Sequence, residues 1–124
     1  MITIKSQQEL KLMRQAGKIV SGTFEVLRAA VRPGVTTKQL DKLAHDYIVK
    51  HDATPSFLGY GGFPGSICAS VNDQVIHGIP GDIRLHEGDI ISIDIGACYK
   101  GYHGDSAKTF GVGKISAEAQ RLID

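Results

Sequence analysis

The chain's 124 residues, 42% hydrophobic and 22% charged, suit one small globular domain or a piece of a larger one. A net charge of +1 leaves no basic footprint for nucleic acid or an anionic membrane, and no apolar run is long enough to cross a bilayer. No signal-peptide core opens the chain, and two cysteines, Cys68 and Cys98, are too few for a disulfide framework, so a cytoplasmic location is expected.

Ser6 and Glu9 form a capping box ahead of a first helix. Its apolar positions, Leu12/Met13, Ala16, Ile19/Val20, Phe24, Leu27 and Ala30/Val31, follow the three-to-four spacing of one buried face. Arg32-Pro33-Gly34 ends it. Thr36 and Gln39 repeat the device before a second helix, with Leu40, Leu43, Ala44, Tyr47 and Ile48 on one stripe. Residues 53–65, rich in glycine, proline and aromatic side chains, read as a loop. Residues 66–71 read as a strand, Asn72-Asp73 as a turn, 74–80 as a second short extended piece and 81–89 as a surface connection. Ile90–Ile95 and Ala107–Val112 are the clearest strands, and a third helix starts at Ser116. The order predicts an α+β fold, an antiparallel sheet with helices packed on one face.

Asp94 interrupts an isoleucine-rich strand, and Asp105 follows a tyrosine- and glycine-rich turn. Ile91, Ile93 and Ile95 point one way, and Ile90, Ser92 and Asp94 the other. A hairpin loop of even length puts Asp94 and Asp105 on one face. A turn centred on Tyr99-Lys100 sets them directly opposite, and a two-residue shift leaves them diagonal; an odd-length loop would separate them. Two ionised carboxylates so close repel, and a divalent cation relieves that because such ions take hard oxygen donors. The alternative is a hydrogen-bonded structural acid at Asp94 and a turn cap at Asp105.

The stretches "VNDQVIHGIPGD" and "EGDIISIDIGACYKGYHGDSAKTF", with "IKSQQELKLMRQAGKIVSGT" and "RPGVTTKQLD" before them, resemble type I methionine aminopeptidases over almost the whole chain. The resemblance implies that residues 1–124 are the N-terminal half of a pita-bread catalytic domain, in which two similar α/β halves enclose two divalent metal ions (Co, Mn, Fe or Zn). It implies metal ligands at Asp94 and Asp105, the remaining histidine and two glutamates belonging to the other half. By the same carry-over His77, in "VIHGIP", is catalytic and contacts substrate near the scissile peptide. Tyr60, Phe63 and Cys68 match the pocket for the methionine side chain, an apolar and polarisable lining that suits a thioether.

The implied activity is removal of the initiator methionine from nascent polypeptides, with the ribosome near its exit tunnel as a further partner. A chain holding only part of such a site is expected to be inactive alone. The rival readings are a proline-specific aminopeptidase or dipeptidase of the same fold and a non-catalytic pita-bread binding protein. His103 lies near enough in sequence to Asp105 to orient its carboxylate from behind, or is an exposed turn residue. His45, His51 and His86 carry no assigned role. "GYGGFPG" has neither the spacing nor the lysine of a phosphate loop.

Overall fold

The computed structural model describes residues 6–59, 65–72 and 78–123, with Leu122 by its backbone alone. Helix α1 spans Gln7–Ala30. Its capping box forms as the sequence predicts: Ser6 Oγ accepts from the Glu9 N–H at 3.1 Å, and Glu9 Oε1 accepts from the Ser6 N–H at 3.2 Å. Helix α2, Thr37–Lys50, begins with the same exchange between Thr36 and Gln39 at 3.1 and 2.8 Å. The stripes bury Ala16, Ile19, Val20, Phe24 and Leu27 on α1 and Leu40, Ala44 and Ile48 on α2. Leu43 fits the period but lies at the outer margin of the stripe, 39% exposed.

Among the described residues the sheet has four strands, β1 (Thr54–Pro55), β2 (Ile67–Val71), β3 (Ile90–Tyr99) and β4 (Tyr102–Gly111). All pair antiparallel with β3: β4 along its whole length, β2 with Ile91–Ile95 and β1 with Ala97 and Cys98. Ile91, Ile93, Ile95 and Ala97 are fully buried, packed with Ile67 and Ala69 of β2 into the core that α1 and α2 cover. Phe110 on the same row meets Phe24 of α1 at 6.2 Å between ring centroids, and the Lys108 ammonium lies over the Phe24 ring. The expected α+β layering is therefore present, with α1 and α2 on the apolar face. Helix α3, Ala117–Ile123, follows Ser116, whose hydroxyl accepts from the Ala119 N–H.

Four sequence readings are corrected. Thr54–Pro55 pairs with β3 instead of lying in an unstructured loop, because its partners are more than forty residues away in sequence and invisible to local pattern. β3 runs four residues beyond Ile95, and β4 starts at Tyr102, ahead of Ala107. Glycine argues against strand by sequence, yet Gly96 and Gly104 sit where another segment comes close. A Cβ at Gly96 would meet the Ser56 side chain at 2.9 Å, and one at Gly104 the α1 backbone of Ala16 at 3.0 Å. The hairpin turn is Lys100-Gly101, both with positive φ (49° and 87°), as a tight two-residue turn requires. Finally, the 81–89 connection is not wholly at the surface. Leu85 is fully buried, and its backbone bonds Val35 and Gly34 at 2.8 Å each.

The entry to β3 is held by side chains. Asn72 Oδ1 accepts from the Ile90 N–H at 2.9 Å, while its amide donates to Asp89 Oδ1 at 3.1 Å. Asp89 Oδ2 accepts from the His86 N–H at 2.8 Å. The His86 amide, then the Asn72 amide, hold the Asp89 carboxyl below its usual range.

Two stability predictions follow from this packing. Gly104→Ala forces a methyl group against helix backbone and is expected to destabilise by roughly 1–3 kcal/mol. Gly17→Ala, at an exposed helical position with nothing within 4 Å of the new Cβ, should stabilise by roughly 0.5–1 kcal/mol. Urea unfolding of both variants decides it, and equal effects would contradict the α1–β4 contact. For Asp89 the folded pKa is depressed, so its contribution is present above the unfolded value and lost as pH falls through the folded one. Asp89→Asn should therefore lower the urea midpoint at neutral pH and flatten its acid limb below about pH 5, with variant and wild type converging as pH falls.

Candidate metal and substrate site

The face of the sheet turned away from α1 and α2 carries the polar residues. The β3–β4 register pairs Asp94 with Ala107 and Gly96 with Asp105. Asp94 and Asp105 thus share one face as diagonal neighbours, a spacing of roughly 7–8 Å between such positions. This is the two-residue shift that the sequence allowed, produced by a turn at Lys100-Gly101 in place of one centred on Tyr99-Lys100. Asp94 is half-buried and Asp105 exposed.

Cys68 stands directly across from Asp94 on β2. Burial, then the charges of Asp94 and of Asp105, push the Cys68 thiol up from its usual value, so the fields of both carboxylates reach this sulfur. Around them runs a row of hydroxyls: Ser70 pairs with Ser92, and Ser92 Oγ lies 3.1 Å from Thr109 Oγ1. Cys68, Asp94, Ser92 and Thr109 line an open depression of about 540 Å³, with Arg28 and Phe110 at its margin. Ser92 was legible as Asp94's neighbour on the alternating strand; Ser70 and Thr109 join it only through pairing.

His103 is exposed and hydrogen-bonds Ser56 at 3.1 Å through Nδ1, so its recorded partner is Ser56 and not Asp105. Ser56 in turn donates its N–H to the Gly96 carbonyl at 3.0 Å and occupies the space above Gly96. His77, Tyr60 and Phe63 lie outside the described residues. Gly78, the next described residue, accepts a hydrogen bond from the Ala69 N–H at 2.9 Å, which ties Gly78 to β2.

The donor chemistry fits a hard divalent cation in part. Two carboxylates on one side of a paired sheet are suitable ligands, but such ions take about six oxygens, and among the described residues no three His, Cys, Asp or Glu side chains converge to hold a metal. No described helix is long and apolar enough to cross a membrane.

The chain is 60% identical to a methionine aminopeptidase of Clostridium acetobutylicum over 124 residues, covering 99% of this chain and 50% of that protein. It is 54% identical to methionine aminopeptidase 1 of Bacillus subtilis, covering 100% and 50%. Its fold superposes on the crystal structure of methionine aminopeptidase from Rickettsia prowazekii with a TM-score of 0.93 at 41% identity, over 99% of this chain and 50% of that one. A Xaa-Pro dipeptidase from Bacillus anthracis superposes with a TM-score of 0.80 at 27% identity, over 96% and 32%. The chain spans about half the length of the methionine aminopeptidases it matches. The α+β half of a pita-bread fold that the resemblance implied is borne out by this superposition. Residues 11–124, both aspartates included, match the profile of metallopeptidase family M24, and the chain belongs to that family.

Proposed function

We propose that this chain is the N-terminal half of a metal-dependent aminopeptidase that removes the initiator methionine from nascent polypeptides in the cytoplasm, where the ribosome's exit tunnel delivers its substrate. The observation that carries the reading is the pair Asp94 and Asp105 on one sheet face, within a chain more similar to methionine aminopeptidases than to the Xaa-Pro dipeptidase.

In this reading Asp94 and Asp105 hold two divalent ions together with a histidine and two glutamates from a second half. The chemistry supplied by a bound metal pair is Lewis-acid polarisation of the scissile carbonyl and acidification of water. His77 donates a hydrogen bond to the reacting amide as charge develops there. Cys68, Tyr60 and Phe63 receive the methionine thioether, a contact worth about 0.3–1.5 kcal/mol per aromatic–sulfur pair. The raised thiol pKa of Cys68 suits that role, since a protonated sulfur adds no third negative charge beside the carboxylates. The half-set of ligands leaves the 124-residue chain alone with weakly held metal and a water-filled site, where electrostatic contributions are small.

The test is metal-dependent release of methionine from a Met-Ala-x peptide, run on this chain and on a polypeptide extended to the length of its relatives. Release by the extended protein and none by the chain alone is expected; turnover by the purified, monomeric chain would contradict the division into halves. In the extended protein His77→Ala should lower kcat by roughly 10²–10⁴-fold with metal occupancy unchanged. Asp105→Asn should instead lower metal occupancy, measured by elemental analysis after dialysis. Loss of metal from the His77 variant would make that residue a ligand.

A further inference from the structure

Helix α2 reaches the start of β2 through a contact that its sequence pattern does not announce. Asp41 Oδ1 accepts two backbone hydrogen bonds at the start of β2, from the Ser66 N–H at 2.6 Å and the Ile67 N–H at 3.0 Å. One turn later on the same helix, His45 Nδ1 lies 2.9 Å from Ser66 Oγ. Ser66 is 1% exposed, and Ile67 is fully buried. The helix that supplies these groups is itself fixed, since Leu40, Ala44 and Ile48 are buried in the core.

We infer that Asp41, assisted by His45, is a positioning residue for substrate, acting through Cys68; the inference rests on the function proposed above. The physical chain is short. The two bonds to Asp41 clamp consecutive peptide groups where β2 begins. With Ile67 committed to the core, strand alternation turns Cys68 to the opposite face, across from Asp94. A slip of one residue there would exchange Ile67 for Cys68 and remove the sulfur from the face that carries the carboxylates. Charge-assisted bonds from backbone N–H groups to a carboxylate are about twice as strong as neutral ones, which suits a clamp at a strand end. Asp41 touches neither the carboxylates nor the reacting atoms, so its loss falls on the methionine-binding side of the site.

Both bonds converge on one oxygen. Asp41→Asn can therefore keep them, whereas Asp41→Ala cannot. In the extended protein Asp41→Ala should raise KM for a Met-Ala-x peptide by about 10-fold or more, the kind of loss a misplaced contact produces, with kcat and metal occupancy unchanged. Asp41→Asn should restore most of it. Hydrogen exchange at the Ser66 and Ile67 amides should speed up in the alanine variant at a temperature where the protein stays folded. An Asp41→Ala protein that loses amide protection yet keeps its KM would reduce the contact to scaffolding and overturn the inference. So would a fall in kcat and metal occupancy accompanying the rise in KM. If the wild-type extended protein releases no methionine, the proposed function itself fails and this inference falls with it; an active wild type with unaltered variant kinetics sinks the inference alone.

Discussion

The two-residue turn at Lys100-Gly101 fixes the parity of the β3–β4 hairpin, and every side chain on both strands takes its face from that parity. With an even loop, Ile91, Ile93 and Ile95 of β3 lie with Phe110 under the helices while Asp94 and Asp105 share the other face. One residue more or fewer in the turn would put Asp105 against α1, where Gly104 now lets the helix backbone approach. The left-handed conformations at Lys100 and Gly101 are thus a condition for the site as well as for the hairpin. β3 is also the strand to which β1, β2 and β4 all pair, so an error there would displace Cys68 and Ser56 together.

Setting two carboxylates on a half-open sheet face has an electrostatic cost that appears at the nearest titratable neighbour. The Cys68 thiol is pushed up by burial and by both acids, which keeps it protonated beside them. Neutral hydroxyls occupy the rest of the row, at Ser70, Ser92 and Thr109, and among the described lining residues the basic groups of Arg28 and Lys108 lie over the rings of Phe110 and Phe24. The two carboxylates give this face a negative field that favours a cation over an organic anion.

How much of this was legible depended on sequence distance. Both capping boxes join residues three apart and were readable directly, as were the buried stripes, apart from Leu43 at the margin. Strand alternation gave the common face of Asp94 and Asp105 once an even loop was assumed, but Tyr99, Lys100, Gly101 and Tyr102 left the turn's position open. β1, the buried Leu85 and the bonds that Asp41 accepts from Ser66 and Ile67 depend on partners 25 or more residues away, which no local pattern encodes. His103 was readable as a neighbour of Asp105, whereas its bond to Ser56, 47 residues away, was not. The roles proposed for His77, Tyr60 and Phe63 rest on family resemblance alone.

Glu9 does two things: it closes the capping box of α1 and accepts the Tyr102 hydroxyl at 3.1 Å through its second oxygen. That bond spans 93 residues, and the apolar face of α1 is likewise covered by β3 and β4 from the far end of the chain. The opening helix is therefore paired early with α2 alone and gains its main cover only after the hairpin has been made. Loop-closure entropy for such distant pairings must be met before their contacts reward it, which slows folding relative to a helical bundle of equal size. On a ribosome adding residues from the N-terminus, Ile19, Phe24 and Leu27 remain uncovered by the sheet until β4 has emerged. The interval in which the opening helix most needs shielding from other chains is set by the position of β4.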